Sequence, residues 1–160
     1  MPLSKVRKGD SAVLFFATLL SEANFLVLQT FSEEAPFDLA IYHNGKFTRF
    51  QIKRAQPAKT PGRFTIPFRK ITANSKKSKV YRYSADHTDF LVGVVMETLD
   101  VYCFPIVETS HIRSAITVDP LGITLEKFAS SRKVTAEQYR NCLVLNGENH
   151  PLKSSTILVQ

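Results

Sequence analysis

The sequence predicts an α/β (α+β) fold: a mixed central β-sheet flanked by helices. Three observations carry that prediction. Residues 12–20 form a run that is apolar on every side (Val13, Leu14, Phe15, Phe16, Leu19, Leu20), as in a helix buried against a sheet. Residues 37–42 and 47–54 alternate with a period of two around His43-Asn44-Gly45, the pattern and turn of an antiparallel hairpin. Residues 89–96 and 101–107 are apolar and β-branched, as strands are. A helix, a hairpin, further strands and then helices is the order of a layered sheet-and-helix domain. A chain of 160 residues is long enough for one domain with its own core.

Taken in order, Asp10 is placed to cap a helix over residues 11–23. Residues 25–29 read as a short strand and residues 33–36 as a loop. In the hairpin, Phe37, Leu39 and Ile41 share one face, and Asp38, Ala40 and Tyr42 the other. On the returning strand Phe50 and Ile52 oppose Arg49, Gln51 and Lys53. Asp38 and the Gln51/Lys53 pair therefore fall at neighbouring ends of two paired strands. Pro57 and Pro61-Gly62 break the chain before a strand at 63–67. Residues 69–82 read as an exposed basic loop or arm ending in Tyr81 and Tyr83. Beyond 107 the expectation is a helical turn near 109–116, helical character over 121–129 and 135–142, and a polar tail.

Charge narrows the function. The chain carries a net charge of +7, and residues 46–82 hold twelve Lys/Arg with no Asp or Glu. Such a balance favours an anionic partner, nucleic acid before membrane, and no run approaches the ~18 apolar residues of a membrane span. Lys5, Arg7 and Lys8 precede the apolar run in the order of a secretory signal. The run is short for one, and Gly9-Asp10 abuts it. Cys103 sits in an apolar run and reads as a buried thiol. Two cysteines make no disulfide framework, and no Cys/His spacing suggests zinc. The expected compartment is the cytoplasm, including a nucleoid or organellar DNA compartment.

Hydrolysing a phosphodiester calls for a metal that activates water and offsets negative charge. Asp38 is a hard oxygen ligand suited to Mg²⁺ (or Mn²⁺). Gln51 offers an amide oxygen, and the Ile52 carbonyl a further one. Lys53, on the face of Gln51, can hold a water or stabilise a developing oxyanion. Arg49, Arg54, Lys59, Arg63, Arg69, Lys70, Lys76, Lys77, Lys79 and Arg82 are the expected contacts to the DNA backbone. His87 with Asp86 and Asp89 follows no metal-spacing rule. His43 reads as a turn residue, and His150 lies in the tail.

Asp38, twelve intervening residues, then Gln51-Ile52-Lys53 resembles the core motif of the PD-(D/E)XK nuclease superfamily. Phe37-Asp38-Leu39, Phe50-Gln51-Ile52-Lys53-Arg54-Ala55 and Lys8-Gly9-Asp10-Ser11-Ala12 are most similar to its group I intron-associated homing endonuclease branch, in which Gln commonly replaces the second acid. The resemblance covers about residues 8–107 and implies a restriction-endonuclease-like core, with 108–160 as a helical extension for DNA contact or dimerisation. It implies a Mg²⁺-dependent endonuclease acting on double-stranded DNA. A homo-oligomer, a dimer or higher, would supply one site per strand. The family usually takes a Glu from its first helix. Here that position is Val13, and Asp10 is the nearest acid to complete the metal set with Asp38 and Gln51. The missing Glu motivates an alternative, a catalytically inactive DNA-binding protein of the same fold.

Overall fold

The computed structural model describes residues 5–32, 35–74, 77–109, 112, 114–121 and 136–152. Helix α1 (Lys5–Glu22) is followed by β1 (Leu26–Gln29), β2 (Leu39–His43) and β3 (Lys46–Arg54). Then come β4 (Gln56–Pro57), β5 (Phe64–Pro67), β6 (Arg69–Asn74), β7 (Lys77–Arg82), β8 (Phe90–Val95) and β9 (Asp100–Pro105). A short α2 (Ile106–Thr109), β10 (Ala115–Val118), a 3₁₀ turn (Ala136–Tyr139), β11 (Cys142–Leu145) and β12 (Glu148–Pro151) complete the described chain.

The fold is α+β around a mixed sheet, as the sequence predicts. Among the described residues the main sheet runs β1-β2-β3-β8-β9. Its β3–β8 pair is parallel, and its other pairs are antiparallel. Every residue of β8 is buried, which suits a strand covered on both faces. One face carries α1. Ala12, Phe16, Leu19 and Leu20, at helical spacing, pack with Leu39, Ile41, Phe50, Ile52, Val92 and Val94. Phe16 meets Phe50 edge-on at 5.4 Å between ring centroids, a favoured aromatic geometry. On the other face Leu91, Val95, Tyr102 and Phe104 pack with Phe64, Ile66, Phe68 and Val118. Those partners come mainly from a small antiparallel sheet, β10-β5-β4.

Several expectations are corrected. Helix α1 already runs from Lys5, so Asp10 lies in its second turn and is not its N-cap. Gly9 and Asp10 are poor helix formers, costing under about 1 kcal/mol each. The buried face that follows holds the helix through them. The helix ends as predicted, with Asn24 at φ 62° and Phe25 N–H donating to Leu20 O at 3.0 Å, a left-handed cap of the Schellman kind. The basic stretch 69–82 is no loop, because β6 and β7 pair from Arg69↔Arg82 to Asn74↔Lys77. Its Ile71-Thr72 and Val80-Tyr81 carry the strand propensity that the charge obscured.

The described part of 108–160 is chiefly strand where helix was expected. β10 pairs with β5, and β11 pairs with β12 across Asn146 (φ 51°) and Gly147 (φ 84°). Leu143, Leu145 and Leu152 of this "tail" enter the same core as α1. Helical character over 135–142 shrinks to the 3₁₀ turn. The stretch expected as a helix at 121–129 lies outside the described residues beyond Leu121.

A polar knot ties this C-terminal part to β9. Arg140 donates to both oxygens of buried Asp100, at 2.9 and 3.1 Å, and Asn141 Nδ2 adds a third bond at 2.7 Å. Tyr139 Oη donates to Glu108 at 2.7 Å. Tyr139 is thus buried and Arg140 half-buried against β9, within the extension that the resemblance assigns to DNA contact or dimerisation. Burial pushes the Asp100 carboxyl up, but hydrogen bonds from Arg140, Thr98 and Asn141 outweigh it and leave the pKa below 3.8. The folded value lies below the unfolded one, so this stabilisation is present above about pH 4 and is lost as pH falls through the folded value. Unfolding midpoints in urea should therefore drop as pH falls below about 4, and Asp100→Asn should flatten that drop. An unchanged acid limb would contradict this role.

Candidate active site

The hairpin of β2 and β3 builds the site. Asn44 (φ 49°) and Gly45 (φ 77°) form the tight turn that Asn-Gly favours, and the register runs from His43↔Lys46 to Leu39↔Phe50. Asp38 extends that ladder by one residue, its N–H donating to Phe50 O at 2.8 Å. It therefore stands opposite Gln51. Ile52 N–H donates to Asp38 Oδ2 at 2.6 Å, and the Gln51 carboxamide donates to the same oxygen. Gln51 is buried, 9% exposed, so its amide needs a partner, and Asp38 is one.

Lys53 lies two residues along the same face, about 7 Å on at strand rise. Its Nζ stands 5.1 Å from the centroid of the Tyr83 ring, within cation–π range. Tyr83 follows directly on β7. Its hydroxyl is buried without a hydrogen-bond partner. Burial first, and the charge of Asp38 second, push its pKa far above the ordinary phenol value. Asp38, Gln51, Lys53 and Tyr83 thus converge on the face opposite α1. Sequence reasoning missed Tyr83 as part of the site. Its place at the end of the basic stretch was visible, its return onto Lys53 was not.

Asp10 is exposed on the helix that covers the other face of the sheet. Among the described residues no group of three His, Cys, Asp or Glu side chains gathers around Asp38. The oxygen donors at the site are a carboxylate and a carboxamide already in contact, a hard set that fits Mg²⁺ or Mn²⁺.

The expected DNA contacts divide. Arg49 is turned inward: its side chain binds both oxygens of Asp89 at 3.1 and 3.0 Å and the carbonyls of Asp86 and Ala85 at 2.7 and 2.8 Å. It ties the start of β8 to β3 while staying partly exposed, and the contact with Asp89 raises its pKa. Asp89, expected to open a strand, is its partner there. Arg54 pairs with Glu97 at 3.3 Å and Arg63 with Asp119 at 3.9 Å. Lys59, Arg69 and Arg82 are exposed. Arg69 and Arg82 are direct cross-strand partners, and like charges so placed repel unless an anion joins them. Lys70, Lys77 and Lys79 lie on the same hairpin; Lys76 is outside the described residues. No helix of the described residues is long and apolar enough to cross a membrane.

A parallel β3–β8 pair beside an Asp-bearing hairpin, with Gln-X-Lys on its second strand, defines a nuclease of the PD-(D/E)XK type. Residues 3–139 match the family described as PD-(D/E)XK endonuclease, and the chain belongs to that family. The fold is similar to that of I-Ssp6803I, described as a bacterial homing endonuclease. The TM-score is 0.72 and the identity 22%, over 86% of this chain and 89% of that one. No curated protein sequence matches the chain.

Proposed function

We propose that this protein is a divalent-metal-dependent endonuclease of double-stranded DNA, site-specific and of the intron-homing kind. The observation that carries the proposal is the shared face of Asp38, Gln51 and Lys53 on one hairpin. Asp38 and Gln51 would hold Mg²⁺ or Mn²⁺, without Asp10, which sits on the helix covering the other face of the sheet. When bound, such an ion supplies Lewis acidity and lowers the pKa of water. Holding an ion would require the Gln51 carboxamide to turn, since the group now presents its N–H to Asp38 and must offer its oxygen instead. Lys53 would orient the attacking water and balance charge on the scissile phosphate. The face of Tyr83 keeps its ammonium in place, and the ring shields it from bulk water. The chain is read as one catalytic unit, since the C-terminal hairpin shares the core of α1. Cutting both strands requires at least a dimer, acting on DNA in the cytoplasm or another DNA compartment.

The test is cleavage of supercoiled plasmid in Mg²⁺ against EDTA, for wild type and Lys53→Ala. Metal-dependent nicking and linearisation, lost in Lys53→Ala, supports the enzyme. DNA binding without cleavage in any divalent metal would instead establish the inactive DNA-binding reading, which the neutral Gln51 and the Val13 position favour.

The grip on DNA has its own signature. With Arg49, Arg54 and Arg63 engaged internally, Lys59, Arg69, Lys70, Lys77, Lys79 and Arg82 remain among the described residues. Six phosphate contacts give a slope of log K against log salt near about −5. A double change Arg69→Ala/Arg82→Ala should reduce that slope by about 2, as read by fluorescence anisotropy. A slope unmoved by these changes would place the DNA elsewhere.

A further inference from the structure

We propose a second metal site, for a zinc-class ion, formed by His43, Glu148 and His150. It lies at the turn end of the β2–β3 hairpin, five residues from Asp38, or about 17 Å along a strand. His43 ends β2, whereas Glu148 and His150 sit on β12, over a hundred residues later. No local spacing could announce this site, and in the sequence His43 reads as a turn residue and His150 as part of the tail.

Four observations support it. One ligand atom from each residue can be chosen so that all lie within 4.8 Å of one another. The two imidazole rings stand 5.6 Å apart at 81°. Two imidazoles on one tetrahedral ion, at metal–nitrogen distances near 2 Å, have centroids about 5 Å apart, so a small closure completes the site. His150 Nε2 is buried with no hydrogen-bond partner, and Glu148 Oε2, at 3.9 Å, is too far to serve as one. Phe25 meets both rings edge-on, at 5.2 and 5.1 Å, and fixes their planes from one side. A buried ring nitrogen without a partner, aimed at a second imidazole and a carboxylate, is a donor set awaiting a cation.

The chemistry selects the ion. Two imidazoles and one carboxylate suit Zn²⁺ and its neighbours, whereas Mg²⁺ takes oxygen ligands. Three protein ligands leave a fourth position for water. Bound there, the ion would join the C-terminal hairpin to the turn of the hairpin that carries Asp38, a clip between two segments far apart in sequence. The inference does not rest on nuclease activity.

The test uses the full chain, stripped with EDTA and titrated with Zn²⁺ by calorimetry and with Co²⁺ by visible absorption. One equivalent should bind, with a dissociation constant of about 1 µM or tighter and tetrahedral Co²⁺ bands. The thermal midpoint should rise on saturation, and millimolar Mg²⁺ should not displace the ion. His150→Ala and Glu148→Gln should each weaken binding at least about tenfold, while Asp38→Ala leaves it unchanged. Glu148 is exposed, so Glu148→Gln keeps the fold even if a histidine variant does not. Absence of saturable binding to the wild type, or binding lost in Asp38→Ala and kept in Glu148→Gln, would overturn the proposal.

Discussion

Asp38→Ala should lower plasmid cleavage by about a hundred- to a thousandfold, the scale expected when one preorganised electrostatic group, here the proposed metal-holding carboxylate, is removed. DNA affinity, measured in Ca²⁺, should stay within a few-fold of wild type, since the proposed grip on the phosphates is the basic β6–β7 hairpin and not Asp38. The substitution also strips Ile52 N–H of its 2.6 Å acceptor and leaves the buried Gln51 amide without that oxygen. An unsatisfied group of this kind costs about 1–3 kcal/mol, so thermal stability falls as well. Asp38→Asn separates the two effects. It retains an oxygen for Ile52 N–H while removing the charge, so it recovers stability and not cleavage. Cleavage within tenfold of wild type in either variant would remove Asp38 from the proposed site.

Gly93→Ala is the second large effect, and it acts from beneath the site. Gly93 pairs with Lys53 across the parallel β3–β8 ladder. A Cβ there would stand 2.3 Å from Ile66 Cδ1, 2.6 Å from Cγ1 and 2.8 Å from Cγ2. Ile66 is fully buried, and the clash involves its stem as well as its tip. Rotating the side chain does not relieve it, and β5 has to move away from the main sheet. Overpacking of this kind costs about 1–3 kcal/mol, which should lower the thermal midpoint by about 2–10 °C in a chain of this length. Ile66→Ala alone should also destabilise, by about 2–5 kcal/mol. In the Gly93→Ala background its cost should shrink well below that. Simple additivity of the two changes would show that the close approach is not what constrains Gly93.

The contrast between what could and could not be read from the sequence follows the range of the interactions. Asp38 and Gln51 are thirteen residues apart on a hairpin whose turn residues and alternation are local, so their shared face was legible. The burial of β8 showed in its apolar run. The inward turn of Arg49 was not legible, because it depends on Asp89, forty residues away, and a basic residue in a basic stretch reads as surface. The C-terminal strands were hidden for a related reason. β10 exists only because β5 lies beside it, and its own four residues carry no period long enough to decide. The β11–β12 hairpin was the readable exception: Asn146-Gly147 between Leu143-Val144-Leu145 and Glu148 repeats the signal of Asn44-Gly45. Asp10 was misplaced as a cap because capping is judged from one residue, whereas the helix start is decided by packing over three turns.

The parallel pairing of β3 with β8 has a consequence for how the chain can vary. Parallel neighbours cannot be joined by a tight turn and need a long crossover. In this chain the crossover, residues 55–89, contains β4 to β7 and with them the hairpin that carries the basic residues. Lengthening a connection of this kind costs only about 0.6 kcal/mol per doubling. The tip of β6–β7 can therefore grow, shrink or exchange its charges while the Asp38–Gln51 register, set within β2 and β3, stays untouched. On the proposed function, target recognition would sit in this adjustable crossover and bond cleavage in the fixed β2–β3 hairpin, and Tyr83, beside Lys53, marks where the two meet.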